Sequence, residues 1–308
     1  MNWRARWPLL RRLLTVAFLL LVAALLLRYA QAVDWSEVGA SIAAYPRPRL
    51  ALAAAAALLA YLVYCHLDVL ARAYTGHPLG YWRVLGISLV CYAFNLNLGG
   101  MVGGIGFRYR LYSRAGLRMS TISRIVVFVI GGNWSGFLLL AGLALALDPL
   151  PLPPGWEIGA RALRIAGVGM VVAETGWLLM CAFSPRRSWT LRGHRIELPS
   201  LRMALYQLAL ASASWLAIAS ILYLLMPGQI GFLTVAGVLA LSVVANVITH
   251  IPANVGVLEA VFVAMLSAHA PPEQILAAVL TYRALFYIGP LLLALVAYLL
   301  LEGHARRR

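Results

Sequence analysis

Long apolar runs, broken by few charges or none, recur from one end of this chain to the other. Those at about 13–30, 49–71, 121–147, 162–183, 203–226 and 274–301 reach the roughly 20 residues that a helix needs to cross about 30 Å of hydrocarbon. Lipid is the one exterior that tolerates such helices. Composition closes the soluble alternative, because hydrophobic residues make up 63% of the 308 positions and charged residues only 11%, too few to cover a water-facing surface. The chain is expected to be an all-α polytopic membrane protein. It should form a single transmembrane domain, 1–308, of about 6–8 transmembrane helices.

The first run follows Arg4, Arg6, Arg11 and Arg12, as a signal peptide would. Arg28-Tyr29-Ala30-Gln31 offers no small-residue cleavage site, so the segment reads as an uncleaved first span. Arginine also sets the orientation. Arg186, Arg187, Arg192, Arg195 and Arg202 crowd the linker 184–202, and Arg306-Arg307-Arg308 close the chain, whereas Asp34, Glu37, Asp148 and Glu157 mark the alternate loops. Positive loops stay cytoplasmic, which places both termini on the cytoplasmic side of a bacterial inner membrane.

That assignment constrains 82–106. A full crossing there would put Arg108, Arg110, Arg114, Arg118 and Arg124 outside. The consistent solution is a re-entrant hairpin that enters from the cytoplasm, breaks and returns. Asn95, Asn97, Gly99, Gly100, Gly103, Gly104 and Gly106 make a poor continuous helix. The region 232–268 breaks similarly at His250-Ile251-Pro252-Ala253-Asn254-Val255-Gly256. Loop parity allows either two crossings or one hairpin there. Ala93-Phe94-Asn95 through Gly104-Ile105-Gly106 overlays on Ala245-Asn246-Val247 through Asn254-Val255-Gly256, which favours an inverted pair of hairpins. Paired broken segments in two halves point to a transporter's substrate site.

The ionisable residues around the breaks are the candidates for function. Arg108, Arg110 and Arg114 follow the glycines, interleaved with Tyr109 and Tyr112. They make either an anion cradle at the mouth of a broken helix or a snorkelling interfacial segment. Glu259 and Arg283 sit in apolar surroundings, where a charge is expected to carry function and to have a partner. Glu259 is expected to pair with Arg283 or Arg108, and a pair that must open to admit phosphate would act as a gate. A purely structural pair is the alternative. Asn95 and Asn254 complete the candidate substrate-binding set, and Gly103, Gly104, Gly106, Pro252 and Gly256 the candidate breaks. Asp68 and Arg72, four apart, read as a stabilising helix-face pair. Glu174 has no evident partner. Asn133, Trp134 and Asn246 read as interhelical hydrogen-bonding groups, while Gly132 and Gly136 mark close helix packing.

All 25 basic residues are arginine, against 10 acidic ones, for a net charge of +15. A GC-rich coding sequence accounts for much of that bias, yet arginine also presents a planar fork matched to phosphate. No soluble basic domain is present to bind nucleic acid. Cys65, Cys91 and Cys181 lie far apart in apolar runs and read as small core residues. Neither they nor His66, His77, His194, His269 and His304 have metal-ligand spacing, so no metal or cofactor is expected. No nucleophile–base arrangement suggests an enzyme.

The stretches at the breaks resemble the lysylphosphatidylglycerol synthase transmembrane-region family. The likeness is carried by Cys91-Tyr92-Ala93-Phe94-Asn95-Leu96, by Val102-Gly103-Gly104-Ile105-Gly106 with Arg108 to Arg114, and by His250-Ile251-Pro252 with Gly256-Val257-Leu258-Glu259-Ala260. Tyr282-Arg283 with Pro290 is a fourth element. The resemblance implies lipid handling, since in two-domain relatives this region is associated with flipping aminoacylated phosphatidylglycerol while a separate domain makes that lipid. This chain, ending at Arg308, is expected not to be a synthase. Relatives commonly carry Glu after the first glycine turn, where this chain has Phe107-Arg108, a departure that suits an unmodified anionic phospholipid. The expected function is therefore phospholipid translocation. A scaffold for a lipid-synthesising enzyme and a small-solute transporter are the competing readings.

Overall fold

The computed structural model describes residues 45–147, 159–191, 194–228, 230–249 and 254–306, together with Ser36, Ala40 and Ala43. The expected first span, the loop 148–157 and the His250–Ala253 part of the second break, with Pro252, lie outside these residues. The described elements are, in order, α1 (Arg47–Thr75), α2 (Tyr81–Gly99), a π-helical segment (Gly100–Gly106), α3 (Phe107–Arg114), α4 (Met119–Leu147) and α5 (Ala160–Phe183). Next come strands β1 (Ser188–Leu191) and β2 (His194–Glu197), then α6 (Leu201–Leu225), α7 (Phe232–Thr249), α8 (Val257–Leu266) and α9 (Pro272–Arg283). A second π-helical segment (Ala284–Ile288) leads into α10 (Gly289–Arg306). Seven of the described helical stretches are long and apolar enough to cross a membrane.

Helices α1, α4 and α6 form the centre. Tyr45 and Arg49, at the start of α1, donate to the carbonyls of Leu224, Leu225 and Met226, which α6 leaves unpaired at its end. Water is absent inside a bilayer, so helices there associate through small residues and hydrogen bonds to backbone. A Cβ added to Gly136 would lie 2.5 Å from the Ala211 Cβ, and Gly132 meets Gln207 as closely. Gln207 donates to the Phe128 carbonyl, Trp215 to that of Asn133 at 3.1 Å and Ser214 to that of Ala60 at 3.2 Å. Asn133 thus takes part through its backbone. The three cysteines are buried thiols, as small core residues should be. The antiparallel pair β1–β2 was not evident in the sequence; it pairs Ser188 with Glu197 through Leu191 with His194. Tyr74 donates to the Glu197 carbonyl, and Arg124 pairs with the Glu197 carboxylate.

The first broken region turns back on itself. Gly99 adopts φ 80° and ψ 167°, a backbone conformation open essentially to glycine alone. Beyond it the Phe107 ring stacks on Phe94 with centroids 4.0 Å apart. Thirteen residues of continuous helix would separate them by about 20 Å. The reversal therefore sits at Gly99, ahead of the glycines expected to form it. Gly103 and Gly104 belong to the returning segment, where a Cβ on Gly103 would lie 2.0 Å from the Phe94 carbonyl oxygen and one on Gly104 2.4 Å from Asn95 Oδ1. In the second region α8 packs back against α7, and the positive φ falls on Asn254 (56°) and Gly256 (79°). Gly99 and Gly256 share a positive φ, whereas Gly106, which the sequence overlay sets on Gly256, has none.

Gly103→Ala is expected to prevent the hairpin from closing, since it drives a methyl into backbone, and to abolish recovery of folded, monodisperse protein in detergent. Gly100→Ala, whose methyl would make ordinary contact at 3.8 Å with Asn95, should be recovered at wild-type yield by size-exclusion chromatography.

Candidate functional site

The hairpin α2–α3 carries Arg108 into the protein. Arg108 is 2% exposed and Asp68, on α1, is fully buried. The guanidinium grips the carboxylate through Nε at 3.2 Å and Nη2 at 2.9 Å, and Nη1 donates to the Gly104 carbonyl at 3.1 Å. Ser88 and Tyr112 add hydroxyl donors to Asp68 at 2.7 and 3.0 Å. Asp68 therefore does not pair with Arg72, and Arg108 does not pair with Glu259. Fourfold donation in a sealed interior makes this cluster a fastener, with no donor of Arg108 turned to an outside ligand.

The second pair matches one of the two expected partners. Arg283, at the end of α9, bonds Glu259 through Nε and again through Nη2 at 2.9 Å. Its Nη2 also donates to the Asn254 carbonyl at 2.6 Å. Glu259 is the third residue of α8, where its carboxylate accepts the Gly256 N–H at 2.9 Å and lies in the positive end of the helix dipole. Asn254 places its carbonyl through its left-handed conformation, one that Asn tolerates better than most residues. The Asn254 Oδ1 is buried and without a partner. Arg283 is 3% exposed, but Glu259 is 17% exposed, so this pair can be reached from outside.

Aromatic rings join the two pairs. Tyr64 stacks on Tyr92 at 3.6 Å, Tyr92 meets Tyr61 at 4.8 Å and Tyr61 meets Phe286 at 5.2 Å, while Arg283 lies over the Tyr287 ring at 5.5 Å. The helix here is π-wound before Gly289-Pro290. Pro290 has no N–H to return to Phe286, and the Tyr61 hydroxyl donates to that carbonyl at 3.1 Å. Asn97 donates to the Tyr287 carbonyl at 3.2 Å, so the first hairpin satisfies backbone freed in the last helix.

The other candidates are distributed around this centre. Arg110 is half-buried and donates to Tyr298 Oη at 2.9 Å, and Arg114 is half-buried at the end of α3. Asn95 packs against Gly104 within the first hairpin, away from Asn254. Asn246 Oδ1 is buried with no partner, so its side-chain oxygen makes no interhelical bond. Glu174 is 2% exposed and accepts from Ser135. The sequence could have revealed Asp68, a carboxylate inside an otherwise apolar run, had the nearby Arg72 not offered a simpler partner. A groove of about 170 Å³, lined by apolar residues including Phe137, Leu143, Trp215, Leu216, Phe232 and Leu233, runs between α4, α6 and the start of α7. Among the described residues no group of histidine, cysteine and acidic side chains forms a metal site.

The family model for the lysylphosphatidylglycerol synthase TM region matches residues 13–294. The chain is 45% identical to inner membrane protein YbhN of Escherichia coli, over 98% of this chain and 95% of that protein. It is 30% identical to an uncharacterized protein of Synechocystis, over 89% of this chain and 87% of the relative. It is also 23% identical to phosphatidylglycerol lysyltransferase of Staphylococcus haemolyticus, over 73% of this chain and 26% of that longer protein.

Removing one partner of a buried pair costs about 3–5 kcal/mol, because the other charge is stranded. Asp68→Ala is expected to lose that much in reversible unfolding in mixed detergent. Asp68→Leu with Arg108→Met should recover most of the loss. Arg72→Ala, by contrast, should change stability by less than about 0.5 kcal/mol.

Proposed function

Because this chain belongs to the lysylphosphatidylglycerol synthase transmembrane-region family, we propose that it moves phospholipid head groups between the leaflets of a bacterial inner membrane. Arg283 is the phosphate-binding residue of this reading and Glu259 its displaceable gate. The observation that carries it is the contrast between the two ion pairs. Asp68–Arg108 is sealed, whereas Glu259–Arg283 stands at a broken helix with its acid partly exposed. A phosphate offers the guanidinium fork two oxygens, as the carboxylate does, so it can replace Glu259 without stranding Arg283.

In this reading the reversals at Gly99 and Gly256 are re-entrant turns entering from opposite sides, with both termini cytoplasmic. Head groups pass where the two meet, and acyl chains remain in lipid. The apolar groove along α4, α6 and α7 supports this division, because Leu143, Leu216 and Leu233 on its rim are each more than a third exposed and accept an acyl chain without desolvating polar groups. A net charge of +15 favours anionic phospholipids as cargo, although Arg108, locked to Asp68, contributes nothing to that preference. A relative named for lysyl transfer to phosphatidylglycerol fits the same lipid class. The role needs transport without catalysis.

Proteoliposomes containing labelled phosphatidylglycerol or phosphatidylethanolamine in one leaflet test the reading. Wild-type protein should accelerate leaflet exchange of the anionic lipid. Arg283→Ala should slow it about ten- to hundredfold, matching the roughly 1.5–3 kcal/mol of a charge-assisted hydrogen bond. Correctly folded Arg283→Ala and Glu259→Gln proteins that exchange lipid at the wild-type rate would instead support a scaffold.

A further inference from the structure

Three acidic residues are buried, or nearly so, within the described spans, and two are neutralised by arginine. Asp68 has Arg108 and Glu259 has Arg283. Glu174 is the exception. It lies midway along α5, is 2% exposed, and its one partner is the Ser135 hydroxyl on α4 at 2.5 Å. An ionised carboxylate held by a single hydroxyl in a water-free interior is expensive, and such groups are neutralised by whatever ion can reach them.

Close contacts between helices flank the Glu174–Ser135 bond. Gly142 and Gly167 bring α4 and α5 into backbone contact, a Cβ on Gly142 falling 2.9 Å from the Gly167 carbonyl oxygen. On the other side, Gly136, next to Ser135, brings α4 against α6, a Cβ there lying 2.7 Å from the Ser212 nitrogen. The Ser212 hydroxyl of α6 is buried and has no partner, so it makes no bond to Glu174. No charged group of α4 or α6 pairs with Glu174. Cys181, seven residues along α5, lies beside Arg187, whose guanidinium donates to the Cys181 carbonyl at 2.8 Å. A serine hydroxyl donates to a carboxylate and accepts from a carboxylic acid, so the Ser135 bond survives a change of state at Glu174.

We propose that Glu174 is a cation-binding carboxyl, neutralised inside the membrane by a proton or a sodium ion in place of an arginine, with the Ser135 hydroxyl as its neutral oxygen partner. This site is separate from the Glu259–Arg283 pair, and its existence does not depend on what the protein transports. An exchangeable cation held between α4 and α5 gives the fold a means of sensing an ion gradient.

Infrared difference spectra of the purified full chain in nanodiscs, wild type minus Glu174→Gln, read the site directly. Gln keeps the volume and the bond to Ser135, and matching unfolding temperatures check that the variant is folded. A carboxylic acid C=O band that disappears as pH rises establishes the proton form. Carboxylate bands that shift when sodium chloride replaces choline chloride establish the sodium form. In either case Ser135→Ala should displace the Glu174 bands. Carboxylate bands indifferent to both pH and sodium would overturn the proposal. So would an acid band untouched by pH, sodium and transfer to heavy water, since that describes a sealed structural acid.

Discussion

The buried pair between Asp68 and Arg108 is the joint on which this architecture depends. A chain that reverses among apolar helices exposes backbone that apolar surroundings cannot satisfy, and it persists only if the protein closes around it. Arg108 bonds the Gly104 carbonyl of the returning segment and the Asp68 carboxylate of α1 together, tying the reversal to the central helices. Stacking of Phe94 on Phe107 and the contact of Gly103 with the Phe94 carbonyl do the close packing. Neither is achievable if Gly103 carries a side chain, so glycine, turn and ion pair depend on one another.

Asn97 and Tyr61 extend that unit to the other half of the molecule. Each donates to a carbonyl of the π-wound segment before Gly289-Pro290, the helix that presents Arg283. The first hairpin thus touches the segment that follows Arg283 through Asn97, and α1 touches it through the Tyr61 hydrogen bond and the Tyr61–Phe286 contact. The two ion pairs divide their work by exposure. The sealed one holds the scaffold, and the reachable one is the pair that the proposed function has a lipid phosphate open.

The helical membrane architecture was legible in the apolar runs, because the length of a span is set by the bilayer and leaves its mark on every one. The pair Glu259–Arg283 was legible for a related reason, since a charge in such a run demands a counter-charge. The assignments that failed were those that local spacing suggested too readily. Asp68 sits four residues from Arg72, a spacing that suits a surface helix, yet its partner lies forty positions away and arrives only once the chain has turned at Gly99. The break was read over Asn95 to Gly106, Gly99 included, but the candidate turn glycines were Gly103, Gly104 and Gly106, and at Gly103 and Gly104 glycine is needed for closeness and not for its dihedral freedom. The β1–β2 hairpin gave no alternating pattern strong enough to read, and its strands are four residues each. Glu174 was visible as an unpartnered acid, but its partner Ser135 lies on another helix and meets it only once α4 packs on α5.

The central functional claim is that a lipid phosphate enters at the second break. A phospholipid carrying a photoactivatable group beside its phosphate, incorporated in nanodiscs with the full chain and mapped by mass spectrometry, tests this most directly. Crosslinks concentrated between Asn254 and Glu259 and at Arg283, and reduced by excess unlabelled phospholipid, are the predicted result. Crosslinks confined to the outer faces of α1, α5 and α6, with none at the break, would contradict it.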